Sequence, residues 1–518
     1  MPRFFNTAGP CKAELHYVLP LLERLPTVRT LFDQQCYFVL HAPRQIGKTT
    51  TLMALAQQLT TEGKFAALHA SCEAGEAAQD DYDAAERIVL DVIDQNASWQ
   101  LAPELRPPPW PTIGSAGNRL SRGLQAWSQQ CPRPILLFLD EIDALRGESL
   151  RSVLRQIRAG YPQRPGAFPS TILLCGLRDV RDYKLASGGD PTRLGSSSPF
   201  NIKVESLTLR NFTCEEVAKL YAQHTKETGQ CFEIAAVERA FFLTAGHPWL
   251  VNALARQATE VLVPNRTQPI TVNVIEQAKE LLIRRQDTHL DSLTERLREP
   301  RVQALMEPIL AGLELPDVPA DDRQYLLDLG LVMRDQRGGL VIANPIYQEV
   351  IPRSLAQGPQ DSLPVIHPTW LSPDGRLDQG KLLASFLSFW RHHGDALLRS
   401  APYHEIAPHL VLMAFLHRVV NGGGSLTREY AIGSGRMDLL LTYGEQKLAL
   451  ELKVWRPKAK DPKRQGLEQL DRYLEGLGLT NGWLIIFDRR KDVPQGETRT
   501  RSELATTPTG RRVTVIRA

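Results

Sequence analysis

Three groups of residues have the types and spacing that chemistry requires. In "YFVLHAPRQIGKTTTLMALAQQL", the run Pro43, Arg44, Gln45, Ile46, Gly47, Lys48, Thr49 and Thr50 lies between an apolar strand pattern and a helical one. The backbone N–H groups of such a turn, with the helix N-terminus behind them, cradle phosphates. Gly47 lets the backbone come close, Lys48 reaches the β- and γ-phosphates, and Thr49 offers a hydroxyl to Mg2+. The spacing is that of G-x-x-x-x-G-K-[ST], except that Ala42 stands where the first glycine is expected. Alanine does not readily adopt positive φ, so the loop's backbone is the point to check. The alternative is a chance Gly-Lys-Thr at a strand–helix junction.

The second group weighs against chance. In "PILLFLDEIDAL", four apolar residues, Leu136 to Leu139, run directly into Asp140 and Glu141, about ninety residues after the loop. Ligands of open α/β sheets bind at the carboxyl ends of strands. There Asp140 would hold Mg2+ through water, and Glu141 would polarise an attacking water as general base. Alone, an acidic pair after an apolar strand is an ordinary polar strand end. After a phosphate loop it completes an ATPase site.

The third group lies in "MDLLLTYGEQKLALELKVW". Side chains alternate along a strand, so Ala449, Glu451 and Lys453 share one face and Leu448, Leu450, Leu452 and Val454 the other. Antiparallel pairing across "YGEQ" brings Asp438 beside Glu451, with Lys453 about 7 Å further along. Two such carboxylates repel each other, and a divalent cation relieves the repulsion. Mg2+ held there activates water and neutralises charge on a phosphodiester. Lys453 would hold or deprotonate that water, or stabilise the developing negative charge. The bland alternative is a cross-strand ion pair. Upstream, Glu405 near the start of an amphipathic helix reads equally as a further metal-binding acid or as a solvated helix-end carboxylate. Downstream, Gln465, Gln469 and Tyr473 fall on one helical face. His404 and His409 read as surface or packed residues rather than ligands.

These groups need elements to hold them. The runs "YFVLHA", "FAALHAS", "PILLFLD", "STILLCG" and "FNIKVESLTL" are apolar on both faces and separated by amphipathic stretches. That pattern predicts a parallel sheet covered on both sides. The Pro-rich "LAPELRPPPWPTIG" (101–114) reads as an exposed excursion. From 211 to about 288 the period is helical. The stretch 290–355 reads as two helices and a hairpin over "DQRGG", a winged-helix pattern. Residues 356–376, rich in Pro, Gly and Ser, read as a linker.

Bulk properties narrow the classes. The 518 residues exceed one core, and 42% hydrophobic with 23% charged is ordinary globular composition. Seven scattered cysteines without a C-x-x-C pair exclude a disulfide scaffold or zinc site and fit a cytoplasmic setting. No apolar run approaches a membrane span, and the N-terminus lacks a signal-peptide pattern. A net charge of +3 is too small to imply a nucleic-acid partner. The local runs "KVWRPKAKDPKRQ" and "RRKDVPQGETRTR" are strongly basic, and beside an acidic site they could follow a phosphate backbone.

On "APRQIGKTT", "LLFLDEID", "SPFNIKVESLTLRNFTCEEV" and "AGHPWLVNAL", residues 1–290 resemble a P-loop ATPase of the AAA/STAND-like group. The resemblance implies a helical lid opened by Gly246-His247-Pro248 and moved by nucleotide, with the winged helix riding on it. Arg178 stands where many AAA+ proteins have asparagine. Arg146, Arg151 and Arg193 are equal candidates for an arginine finger. Residues 377–518 resemble the PD-(D/E)XK nuclease superfamily. Asp438, Glu451 and Lys453 match its core motif, with "GRMD" in place of the Pro-Asp pair, and Gln469 matches a glutamine on the following helix.

The expected architecture is therefore α/β. It comprises a P-loop parallel-sheet core (1–210), a helical lid (211–289), a winged helix (290–355), a linker (356–376) and a restriction-endonuclease-like α/β domain (377–518). The expected function is ATP hydrolysis governing Mg2+-dependent cleavage of DNA. ATP and Mg2+ are the cofactors, DNA or alternatively RNA is the partner, and homo-oligomerisation is left open. The second reading is a nucleotide-dependent regulatory switch whose nuclease-like domain only docks DNA or protein.

Overall fold

The structure, a computed structural model, describes residues 3–111, 115–177, 205–285, 293, 295–311, 313, 315–361, 363, 369–400, 403, 406–420, 424–432, 435–490 and 499–518. The chain divides into two compact units: 1–285 with 319–333, and 286–318 with 334–518.

The first unit is built on five strands: β1 (Phe38–His41), β2 (Ala66–Ser71), β3 (Ile135–Asp140), β4 (Thr171–Gly176) and β5 (Glu205–Thr208). They lie in the order β2-β3-β4-β1-β5, and every pairing is parallel. Each strand coincides with one of the apolar runs in the sequence. For β1 to β4 the reason is two-sided burial. Val39, Leu68, Leu137, Leu139 and Leu174 face one core, under helices Tyr82–Gln100, Arg119–Gln130 and Gly147–Gly160. Phe38, Leu40, Ala67, Leu136 and Phe138 face the other, under Val28–Asp33 and Lys48–Thr61. Alternate residues thus enter different cores, and neither face tolerates a polar run.

The Pro-rich stretch corrects one expectation. It is not simply exposed: Leu101 and Leu105 are buried, Trp110 packs on the core, and the Trp127 indole donates to the Leu105 carbonyl at 2.9 Å. Proline blocks regular structure but does not prevent side-chain burial.

Beyond β5 come helices Cys214–Thr228, Ile234–Thr244, Pro248–Arg256 and Val272–Arg285. The first opens on a capping box between Thr213 and Glu216. The N-terminal segment ties this helical part to the sheet: the Trp249 indole donates to Thr7 O, and Cys11 N donates to Thr50 Oγ1. Helix Ala320–Leu329 also belongs to this unit. Its capping residue Gly330 has φ +72, and a Cβ there would lie 2.8 Å from Pro43 Cβ. Only glycine permits so close an approach to the phosphate loop.

The expected hairpin appears as a two-stranded ribbon, β6 (Val332–Arg334) and β7 (Leu340–Ile342). Its turn is closed by the Asp335 carboxylate, which accepts from the Arg337 and Gly339 amides. Helix Pro345–Asp361 runs into the stretch read as a linker, and Trp370 near that stretch's far end is buried.

The second unit contains a six-stranded sheet in the order β12-β13-β11-β10-β9-β8. Its strands are β8 (Gly424–Ile432), β9 (Gly435–Tyr443), β10 (Gln446–Trp455), β11 (Gly482–Asp488), β12 (Arg501–Thr506) and β13 (Arg512–Arg517). β10, β11 and β13 run parallel and the outer pairings are antiparallel. Helix Lys463–Leu477 covers one face, where Leu470 and Leu474 meet Ala449, Leu484 and Ile486. Helices Gln379–Ser400 and Ala407–Val420 meet the other face through Trp390 and His409 on Phe487.

Candidate active sites

The phosphate loop joins the end of β1 to helix Lys48–Thr61, whose capping residue Gly47 has φ +93. The backbone carries its left-handed turns at Gln45 (φ +60) and Gly47, and Ala42 is not among the positive-φ residues. Ala42 is fully buried. The substitution for the motif's first glycine therefore costs no backbone strain here. Ile46, also buried, anchors the loop in the core. Lys48 Nζ folds back across the loop to the carbonyls of Ala42 (2.8 Å) and Pro43 (3.0 Å).

Strand order then sets the acids in place. β4 lies between β1 and β3, yet Thr49 Oγ1 donates to Asp140 Oδ2 at 2.7 Å. His69 on neighbouring β2 puts Nε2 at 3.2 Å from the same oxygen, and the Glu141 amide donates to Asp140 Oδ1 at 3.0 Å. Burial opposes ionisation of Asp140, but hydrogen bonds from His69 and Thr49 outweigh it and hold the carboxyl below its usual range. Glu141 shifts the other way: partial desolvation, with repulsion from Asp140 and Asp143, raises it, and Lys48 opposes the rise. Asp140 is thus fixed as an anion, and Glu141 is the stronger base. Asp140 and Thr49 supply the hard oxygen donors that Mg2+ prefers, and Lys48 with the loop amides suits phosphate.

Of the lid motif, Gly246 has φ +71, and a Cβ there would stand 2.0 Å from Phe212 O. His247 is buried and hydrogen-bonds the Arg44 backbone, and burial lowers its pKa to about 4. Arg146 pairs with Glu76 at 2.6 Å and Arg151 with Glu148 at 2.9 Å. Arg178 and Arg193 lie outside the described residues.

In the second unit the β9–β10 ladder pairs Leu439 with Leu450, which puts Asp438 and Glu451 next in register. There Asp438 Oδ2 instead accepts from the Leu452 amide at 2.8 Å. Glu451 is 1% exposed, while Asp438 and Lys453 are half-buried. Lys453 Nζ lies 2.6 Å from Glu451 Oε1. Glu451 Oε2 is buried with no hydrogen-bond partner among the described residues, as is Gln469 Oε1. Burial, then repulsion from Asp438, drives the Glu451 carboxyl well above the ordinary range, against the pull of Lys453. An orphaned carboxylate oxygen beside a second carboxylate fits a divalent cation. Among the described residues no three acidic, His or Cys side chains converge on one point. Glu405 and His404 lie outside the described residues.

Sequence reading missed two features. One is His69, whose approach to Asp140 depends on β2 lying beside β3. The other is the carboxyl edge of β10, β11 and β13. There the Arg490 guanidinium lies 3.4 Å over the Trp455 ring and Arg517 lies 5.1 Å from it. The basic runs were the available signal for this edge, but not the stacking.

No protein-family model matches the chain, and no curated protein matches it. Among solved structures, a Walker-type ATPase of Pyrococcus abyssi aligns at TM-score 0.48 and 13% identity, over 67% of this chain and 99% of that one. The RuvB Holliday junction branch migration motor of Thermotoga maritima aligns at 0.34 and 15%, over 62% and 89%. Cdc6p from Pyrobaculum aerophilum aligns at 0.36 and 12%, over 69% and 97%. All three scores fall below 0.5, and the fold is defined by the strand order, register and loop geometry above. The first unit is an α/β P-loop fold. Among the described residues no helix is long and apolar enough to cross a membrane.

Proposed function

We propose that the chain is an ATPase joined to a Mg2+-dependent nuclease acting on DNA, with nucleotide state governing cleavage. One observation carries the reading: each unit holds paired carboxylates at a strand, with a lysine in reach and hard oxygen donors for a cation. In the first unit Lys48 and the loop amides bind phosphates, and Thr49 with Asp140 would hold Mg2+. Glu141 takes the proton of the attacking water. In the second, Asp438 and Glu451 would hold Mg2+, which when bound lowers the pKa of water and offsets phosphodiester charge. Lys453, which lies against Glu451, would stabilise negative charge developing on the phosphate. Gln469, whose Oε1 is buried with no partner among the described residues, would serve as an orienting amide.

A second reading has its own support. The Lys453–Glu451 contact is already an ion pair, sufficient for a domain that only docks DNA or protein under a nucleotide switch. The full chain assayed on single- and double-stranded DNA and RNA, with and without ATP and Mg2+, separates the two. Metal-dependent cleavage that is lost in Glu451→Ala while ATP hydrolysis persists supports the nuclease. Binding without cleavage under every condition supports the switch. Lys48→Ala is expected to abolish nucleotide binding, and unaltered ATP affinity would refute the phosphate-loop assignment.

A further inference from the structure

Arg24, at the end of the turn Leu21–Arg24, is only 6% exposed and donates to no carboxylate among the described residues. Its Nη1 and Nη2 donate to the Ile46 carbonyl at 3.2 Å each, Nη2 also donates to the Arg210 carbonyl, and the guanidinium lies 4.9 Å over the Phe212 ring. Its Nε is buried with no partner among the described residues. The nearby acid Glu216 is engaged by the Arg210 side chain at 2.6 and 2.8 Å. Burial draws the Arg24 pKa down to about 10, so it stays charged at neutral pH. A buried cation held, among the described residues, by carbonyls and a ring face is an expensive arrangement unless something gains from it.

Its partners indicate the gain. The peptide unit is planar and trans, so the Ile46 carbonyl and the Gly47 N–H point in opposite directions. Pinning that carbonyl to Arg24 turns the Gly47 amide to the far side of the loop, at the start of the phosphate-binding helix. A Cβ on Gly47 would lie 3.7 Å from Arg24 Nη1, so the positive charge stands directly behind this turn. At its other end Arg24 holds residues 210–212, between β5 and the first lid helix. Phe212 N in turn donates to Gly246 O at 2.9 Å, at the Gly-His-Pro turn.

We infer that Arg24 is a positioning residue that aims the Gly47 amide at bound phosphate and clasps the phosphate loop to the hinge of the helical lid. The inference rests on the phosphate-loop assignment and adds how polyphosphate binding is sensed by the lid. Unlike Lys48, Arg24 acts from behind the loop. Its loss therefore weakens recognition of the β- and γ-phosphates without removing the nucleoside site.

The test uses full-length Arg24→Met, Arg24→Lys and Phe212→Leu, titrated with ATP and with AMP, and followed by hydrogen exchange over 209–230. Arg24→Met is expected to lose ten- to a hundred-fold in ATP affinity and at most two-fold in AMP affinity. ATP-induced protection of 209–230 should vanish with it. Arg24→Lys, which keeps the charge but not the fork, falls between, and Phe212→Leu loses protection more than affinity. Should Arg24→Met fail to fold, the other two variants decide. ATP affinity within two-fold of the parent in Arg24→Lys, with protection intact in Phe212→Leu, overturns the clasp. So does an equal loss for ATP and AMP. Lys48→Ala is the control: if it binds ATP as the parent does, the phosphate-loop assignment itself fails. If it loses ATP while the Arg24 variants do not, only the clasp fails.

Discussion

The two acidic pairs are built on opposite electrostatic plans. Asp140 is surrounded by donors from Thr49, His69 and the Glu141 amide, and it is held ionised despite burial. Glu451 is equally buried but receives one charged donor, keeps one oxygen orphaned and faces Asp438, so its carboxyl is driven up. The first carboxyl is held as an anion, and the second holds a proton more tightly than an ordinary carboxyl does. Pre-paid hydrogen bonding makes a site insensitive to pH, and desolvation without partners makes it sensitive.

Four measurements sharpen or break that contrast. The largest effect is expected from exchanging acids for amides. Glu141→Gln should slow ATP hydrolysis by about 10² to 10⁴ while nucleotide binding persists, as loss of a general base requires. Glu451→Gln should abolish cleavage and leave that hydrolysis rate unchanged. If both activities fall together in either variant, the sites are not separable. Next, His69→Ala should weaken the Mg2+ affinity shown in ATP turnover by roughly ten- to a hundred-fold, the usual consequence of losing an orienting partner. The Mg2+ concentration at half-maximal rate measures it. An unchanged value would mean that Thr49 and the Glu141 amide suffice to orient Asp140.

The third measurement concerns pH. A carboxyl whose folded pKa is raised binds its proton more tightly in the folded chain than in the unfolded one. Stability is then fully present below the unfolded value near 4.3, is lost as pH rises from there through the raised folded value, and is flat above it. Glu451→Gln, unfolded thermally in chelator between pH 5 and 9, should show a flatter profile and exceed the parent at the alkaline end. Divalent-cation affinity of the parent should rise over the same window. The smallest effect belongs to Ala42→Gly. Since Ala42 needs no positive φ, restoring the motif glycine should leave ATP affinity unchanged and lower stability by about 0.4–1 kcal/mol through added unfolded-state freedom. Tighter ATP binding by that variant would show that Ala42 does constrain the loop.

What could be read from the sequence depended on how local the determining contacts are. Four strands of the first sheet, β1 to β4, were visible because burial on both faces leaves an unbroken apolar run. Lys48 and Thr49 could be picked out at a helix start, and Asp140 and Glu141 at a strand end, because each place is fixed by its own neighbours in sequence. Asp438 and Glu451 could be paired because a short turn sets hairpin register. His69 and Arg24 could not be found this way. Their roles depend on which strand lies beside which and on contacts such as Arg24 to Arg210, far apart in sequence. The same holds for Trp455, Arg490 and Arg517, which meet only because β10, β11 and β13 run parallel. The capping proline pattern at 101–114 misled because it describes backbone freedom, whereas Leu105 and Trp110 are placed by packing.

The nucleotide unit reclaims residues 319–333 after the chain has left it, and Gly330 there abuts Pro43. The polypeptide therefore passes from one unit to the other at three points, after 285, 318 and 333. A gene split or an expression fragment ending anywhere from 286 to 329 would remove Gly330 and bare one flank of the phosphate loop.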